Sequence, residues 1–332
     1  MTVVSFDIVV PTVGRPSLND LLRGLGECPG PQPTRVLIVC DGVDPAAVSL
    51  DGVGPWVASR CTVMATAQRG PAATRNAGWA AARAEWIVFL DDDVVPALDW
   101  LTRLSADFRN AASPVAGSQG RIVVPVPSSR PPTDWERSVV GLERARWATA
   151  DMAYRRRVLE ELEGFDERFV RAYREDSEFG LRVVKAGYDI VEGSRTVVHP
   201  VRPVDRWVSV RVQSGNADDA MMRALHGRTW RDAAGAPRGR RSRHLVVAGA
   251  AVVAAIGALL GRRRIAAAGA ATWAAGTAEL AWARISPGPR TANEVIAMSL
   301  SSLVLPPAAT WHWIVGLVRA HRLVKRQRTS VR

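Results

Sequence analysis

The stretch EWIVFLDDDVVP, residues 85–96, holds the reading on which the fold turns. Apolar residues 86–90 run straight into Asp91, Asp92 and Asp93. A short unbroken apolar run is the pattern of a strand buried on both faces, as in parallel sheets. Three adjacent like charges resist burial, so they belong where the strand leaves the core. In an extended segment residues i and i+2 point the same way. Asp91 and Asp93 are therefore expected to face one site, and Asp92 to face elsewhere. A solvated acidic turn after an edge strand is the competing reading, and these twelve residues leave both open.

Working outward, similar runs occupy 6–11 (FDIVVP), 35–40 (RVLIVC) and, more weakly, 61–65. Helical spacing separates them at 17–27, with Ser17 as N-cap, and at 71–84, with Pro71 in the first turn. Apolar strands alternating with helices predict an α/β fold with a mostly parallel sheet covered on both faces. Beyond residue 100 the pattern is mixed: a helix over 98–111, a strand over 121–126, a Pro-rich loop over 125–137, and helices over 155–163 and 176–186. Gly187 suits the left-handed cap of the last.

In open parallel sheets ligands bind outside the carboxyl ends of the strands. Three such ends are polar here: PTVGRP (11–16), Asp41 and the aspartates 91–93. Carboxylates gathered on one rim call for a cation. Hard oxygen ligands suit Mg²⁺ or Mn²⁺, which bridge substrate phosphates.

Charge divides the chain. Residues 1–243 carry 33 Lys+Arg against 30 Asp+Glu, and residues 244–332 carry 11 against 2, so the excess of +12 belongs mostly to the tail. There it flanks the apolar stretches 245–260, 265–283 and 295–318. Basic residues beside apolar segments read as membrane flanks rather than a nucleic-acid groove. The first stretch is short for a bilayer core that needs roughly 20 residues. A pair of spans at 265–283 and 295–318 keeps both arginine clusters, 262–264 and the tail, in the cytosol. Pro306 and Pro307 should kink the second span. A buried helical domain is the alternative. The three cysteines lack metal-ligand spacing and read as reduced thiols.

Four segments taken together carry a resemblance: FDIVVPTVGRPSLNDLLRGL, VLIVCDG, RGPAATRNAGWAAARAEWIVFLDDDVVP and GFDERFVRAYREDSEFGLRVVKAGYDI. In order and interval, over about residues 5–200, they resemble glycosyltransferase family 2, of the GT-A fold. The resemblance implies a Rossmann-like mixed sheet followed by C-terminal apolar membrane helices. The expected domains are a catalytic domain at 1–205, a helical and basic linker at 206–243, membrane-associated helices at 244–320 and a basic tail at 321–332.

The resemblance also implies roles. Thr12, Arg15, Asp41, Arg75, Asn76 and Asp91 match positions that bind the donor nucleotide. Asp93 and Asp91 match the motif for metal and diphosphate, with a late histidine, His199, as a further ligand. Asp176 matches the catalytic base, supported by Glu175. Asp151 stands where the family often has Asn and, with Trp135, is expected on the acceptor side. A carboxylate at a helix N-terminus is held ionised by free N–H groups and the helix dipole. The function implied is inverting transfer from a nucleotide-diphospho-sugar, with Mg²⁺ or Mn²⁺, to a hydroxyl of a lipid-linked or envelope glycan acceptor. The implied location is the cytoplasmic side of the cell membrane.

Other classes fit less well. A sugar-phosphate nucleotidyltransferase wants a Gly-rich basic loop, and PTVGRP has one glycine. A catalytically silent membrane-tethered nucleotide-sugar binder would have lost some of Asp41, Asp91, Asp93 and Asp176, and all are present. A dehydrogenase wants G-x-G-x-x-G after the first strand. No nucleic-acid partner is expected, since the basic excess lies in the apolar tail.

Overall fold

The structure is a computed structural model that describes residues 4–330. Of the expected basic tail, residues 331 and 332 lie outside the described residues, and side chains are described only up to 323. The chain divides into two compact units. One comprises residues 1–125 and 140–201, the other Val126–Val139 and Arg202–Arg332. The Pro-rich segment expected in the catalytic domain thus belongs to the second unit.

The first unit is built on eight strands: β1 (Phe6–Thr12), β2 (Val36–Asp41), β3 (Cys61–Thr66), β4 (Trp86–Leu90), β5 (Val95–Pro96), β6 (Val115–Val123), β7 (Asp151–Arg155) and β8 (Asp189–Val198). They form one mixed sheet in the order β3-β2-β1-β4-β7-β6-β8-β5. β1 to β4 are mutually parallel, β7 runs antiparallel between β4 and β6, and β8 is parallel to β6. The carboxyl ends of β1, β2, β4 and β8 therefore share one rim. β5 turns back and pairs antiparallel with the end of β8, Val95 opposite Val198. The strand expected at 121–126 is the end of β6, which starts six residues earlier.

Its helices are α1 (Ser17–Glu27), α2 (Pro55–Arg60), α3 (Pro71–Ala81), α4 (Trp100–Asn110), α6 (Arg156–Glu161) and α7 (Glu175–Lys185); α5 (Asp134–Val140) lies almost wholly in the other unit. Alternation along the strands feeds two cores. Val9, Leu37, Val39, Ile87 and Phe89 join Ala72 of α3 and Phe179 and Val183 of α7 on one face. On the other, Trp86 stacks on Phe108 of α4 with ring centroids 4.5 Å apart. Each such side chain contributes about 1.5–3 kcal/mol by leaving water, which is why β4 tolerates no polar residue before Asp91. Pro16, rather than Ser17, occupies the cap of α1, and the Ser17 hydroxyl is buried without a partner. Gly187 takes φ +89°, as its place after α7 requires. Cys28, Cys40 and Cys61 are free thiols.

The second unit holds α8 (Val208–Arg211), α9 (Asn216–His226), α10 (Trp230–Ala233), α11 (Arg241–Leu259), α12 (Arg263–Ile285) and α13 (Ala292–Ser330). Among the described residues one helix is long and apolar enough to cross a membrane, and it is α11. This differs from the expectation that 265–283 and 295–318 span. Charge dilutes α12 through Arg263, Arg264, Glu279 and Arg284, while α13 packs on α9, α11 and α12. α13 continues through Pro306 and Pro307, although each proline removes a backbone donor from the helix.

Candidate active site

The site grows from the turn that ends β4. After Leu90 the chain leaves extended geometry, and the Val94 N–H bonds back to the Asp91 carbonyl. Period-two alternation stops there, so the three aspartates take three different directions. Asp91 accepts from Arg75 Nη2 at 2.8 Å. Asp92, at 1% exposure the most deeply buried of the three, accepts from Thr12 Oγ1 at 2.6 Å and Arg15 Nη1 at 2.7 Å. Asp93 lies beside His199, Oδ1 to Nε2 3.5 Å. The expectation that Asp91 and Asp93 face one site while Asp92 faces elsewhere is thus corrected, since each of the three has partners of its own. Asp92 is the anchor that ties the β1 loop to the β4 loop, and Thr12 and Arg15 are engaged with it.

Topology explains the Asp93–His199 pair. β8 runs parallel to β4, so its end arrives at the same rim, and β5 brings the chain after Asp93 back against it. The His199 N–H is fixed to the Val123 carbonyl at 2.8 Å, and its buried Nδ1 has no partner. A 3.5 Å separation is long for a hydrogen bond. Ligands about 2.1 Å from one octahedral cation stand about 3 Å apart, so the pair fits a shared divalent ion with little movement. Among the described residues no group of three or more His, Cys, Asp or Glu side chains is assembled for a metal. Asp91, expected as a ligand, is turned toward Arg75 instead.

Arg75 is the centre of the constellation. It lies on α3 at 2% exposure, and its second nitrogen donates to Glu175 Oε1 at 2.8 Å. Its guanidinium faces the Phe165 ring at 5.9 Å from the centroid. One arginine thus joins the β4 turn to the N-terminus of α7. Glu175 and Asp176 occupy the first turn of that helix, after Arg174 in a left-handed conformation (φ +77°). Asp176 accepts from the Ser177 N–H at 2.6 Å. Burial pushes the Glu175 carboxyl up to about 7, opposed by Arg75 and reinforced by the negative charge of Asp176. Burial also raises Asp176, against the Ser177 N–H and Arg75. Desolvation thus opposes the N–H groups and dipole expected to hold Asp176 ionised.

Two further residues hold backbone. Asp41 accepts from the Arg69 and Gly70 N–H groups, each at 2.9 Å, and from Thr66 Oγ1 at 2.8 Å, which shapes the turn into α3. A carboxylate has about four acceptor positions, so one remains for a ligand. Asn76 is fully occupied. Its amide donates to the Phe165 carbonyl at 2.8 Å and Glu167 at 3.1 Å, and its oxygen accepts from Phe165 N–H and Trp79 Nε1. The nucleotide role expected for Asn76 gives way to a clamp on the turn at 164–167. Gly164 makes that clamp possible: at φ +65° a Cβ there would lie 2.5 Å from Asn76 Oδ1.

Asp151 is not at an acceptor surface. It has no exposed area and accepts from Arg195 Nε and Trp100 Nε1, each at 2.7 Å. Arg195, also fully buried, donates further to Asp107, Ser118 Oγ and the Ser118 carbonyl. This network locks α4 to β6, β7 and β8 beneath the rim. Its signal in the sequence was an arginine at an inward position of the apolar strand SRTVV. Trp135, the other expected acceptor residue, belongs to the helical unit, where its Nε1 donates to the Arg202 carbonyl at 3.1 Å.

The family profile described as Glycosyl transferase family 2 matches residues 7–178, over half of the chain. The chain belongs to glycosyltransferase family 2 and is a glycosyltransferase of that family. Among curated proteins no sequence match is found. Among solved structures, the mannosyltransferase PcManGT from Pyrobaculum calidifontis, in complex with GDP-Man and Mn²⁺, is 19% identical over 95% of this chain and 85% of that one, with a TM-score of 0.49. TarS of S. aureus is 18% identical with a TM-score of 0.42; the match covers 65% of this chain, which spans 40% of the TarS chain. A mycobacterial protein is 14% identical over 71% of this chain and 76% of that one, with a TM-score of 0.46.

Proposed function

We propose that the chain is an inverting, metal-dependent glycosyltransferase that moves a sugar from a nucleotide-diphospho-sugar to the hydroxyl of a lipid-linked or cell-envelope glycan acceptor. The observation that carries this reading is the Arg75 bridge. It joins the strand-end Asp91 to Glu175 of α7, next in the chain to Asp176. Asp93 and His199 would hold Mg²⁺ or Mn²⁺. When bound, the cation offsets charge on the departing nucleoside diphosphate. The spare acceptor position of Asp41 is open to the nucleoside.

Asp176 takes the acceptor proton. The acceptor oxygen attacks the anomeric carbon as the bond to the diphosphate oxygen breaks on the opposite face. Burial makes Asp176 a stronger base than an exposed carboxylate, so it accepts the proton more readily. Glu175, held by Arg75, orients the first turn of α7. Attachment to the cytoplasmic face of the cell membrane would raise the local concentration of a lipid-linked acceptor.

The test is Asp176→Asn. Sugar transfer should fall by about 10²–10⁴-fold, while calorimetric binding of nucleoside diphosphate with Mn²⁺ stays near that of the parent chain. Turnover close to normal would refute Asp176 as base.

A further inference from the structure

The last helix, α13, has two apolar faces. Met298, Leu305, Ala309 and Trp313 are buried on one, where the helix packs on α9, α11 and α12. Ile296, Leu300, Leu303, Trp311, Ile314 and Val318 are 39–64% exposed. At 3.6 residues per turn these six form one stripe opposite the buried face. No Asp, Glu, Lys or Arg stands between Glu294 and Arg319. A contiguous apolar stripe left open to water marks a surface that meets something else.

The ties of α13 rule out a crossing. Near its start Glu294 accepts from the Asp134 N–H at 2.8 Å. Ser301 and Ser302 accept from Arg284 Nη1 at 2.8 and 3.0 Å, and Arg284 Nη2 donates to Asp134 at 2.9 Å. Further on, Arg241 stacks over Trp313 at 3.9 Å. A Cβ on Gly316 would lie 2.5 Å from the Ala217 carbonyl, so α13 and α9 touch backbone to backbone. Glu294 and Gly316 stand about 33 Å apart along the helix at 1.5 Å per residue, as far as a hydrocarbon core is thick. A crossing α13 would put Asp134 and Ala217 on opposite sides of a bilayer. Residues 126–133 and 202–215 join these two points to the sheet unit. Each stretch is shorter than the roughly 20 residues that one helical crossing takes. Both points stay on the side of the sheet unit, and α13 stays with them.

Charge says what covers the stripe. Exposed Arg319 and Arg322 follow it directly, and the sequence adds Lys325, Arg326 and Arg328. An apolar face ended by cations complements acyl chains beneath anionic headgroups. Trp311, the most exposed of the six at 64%, suits the boundary between the two. A helix lying on the surface also keeps these cations in water on the side of the sheet unit, as the positive-inside rule prefers.

We infer that α13 lies in the plane of an anionic membrane surface, with the stripe at 296–318 set into the boundary of headgroups and acyl chains. This deepens the membrane attachment proposed above and rests on it. The stretch 295–318, expected to span, lies on the membrane instead.

The test is flotation of the full chain with vesicles of phosphatidylglycerol or of phosphatidylcholine. The parent chain should float with the first and much less with the second. Leu300→Glu with Ile314→Glu should cut binding to phosphatidylglycerol at least tenfold, and Leu300→Gln with Ile314→Gln should cut it less. All four substitutions replace exposed side chains, so the thermal unfolding midpoint should stay within a few degrees of the parent chain. Arg319→Ala with Arg322→Ala should weaken binding to phosphatidylglycerol about tenfold and leave phosphatidylcholine unaffected. Stripe variants that float like the parent chain would overturn α13 as the membrane surface. So would a parent dimer that the stripe variants dissociate while flotation is unchanged, which would assign the stripe to a second copy. A parent chain that binds neither vesicle would sink the membrane attachment itself. Sugar transfer in detergent reads the proposed activity separately from these outcomes.

Discussion

Asp92 shows how a residue's role turns on its backbone. Alternation places it away from the site, but the turn after Leu90 aims it at Thr12 and Arg15. Asp92→Ala leaves a buried hydroxyl and a guanidinium without their acceptor, which costs about 1–3 kcal/mol. Thermal unfolding should show the loss, and nucleoside diphosphate affinity should drop with it. Asp92→Asn, which can still accept from Thr12, should recover part of both. The carboxylates of α7 set the pH dependence. Both are raised, so their neutral forms are favoured in the folded chain. The stability they contribute is full below the ordinary carboxylate range and declines as pH rises through the raised values, about 7 for Glu175. Transfer, which needs Asp176 ionised, should climb as pH rises above the ordinary carboxylate range, because Asp176 is raised by burial. Glu175→Gln should move the acid limb of kcat/KM to lower pH by removing a neighbouring acid, and should flatten the pH dependence of unfolding. An unmoved limb would show that the pair is not coupled through charge.

At the scale of elements, α3 and α7 are positioned by side chains that the sequence reading assigned to ligand. Asn76 spends its whole amide on the turn at 164–167. Asn76→Ala should destabilise the chain by about 1–3 kcal/mol through orphaned backbone groups, with KM for donor changing less than the unfolding midpoint. β4 and the core beneath it were legible, since 86–90 is apolar without a break. Phe89→Ala should cost about 3–5 kcal/mol by chemical denaturation, because Phe89 packs edge-on against Tyr154 and Phe165. The helix at 17–27 followed equally from its spacing, and the one expected over 71–84 is present but ends at Ala81. The early start of β6 did not, because Gly117 and Gly120 interrupt its pattern.

Over the whole molecule, the division into units follows tertiary contacts more than chain order. Residues 126–139 sit between two strands of the sheet, yet Asp134 and Arg137 bond to the helical unit. Breaking a buried ion pair by removing one partner costs about 3–5 kcal/mol. Asp134→Ala should therefore lower the unfolding midpoint of the full chain, and proteolysis should cut first near 286–291, where the turn loses its tie. An unchanged cleavage pattern would show that Arg284 is held by Ser301 and Ser302 alone.

By itself the sequence determined the parallel half of the sheet, the rim on which its polar ends meet and the family to which the chain belongs. These depend on hydrophobic periodicity and on motifs within single segments, which local chemistry dictates. Only the tertiary structure decided which aspartate meets which arginine, that Asp151 is a buried anchor, and that the Pro-rich segment joins the helices. Each of those depends on residues far apart in the chain, and on turns where the two-residue and 3.6-residue periods no longer say where a side chain points.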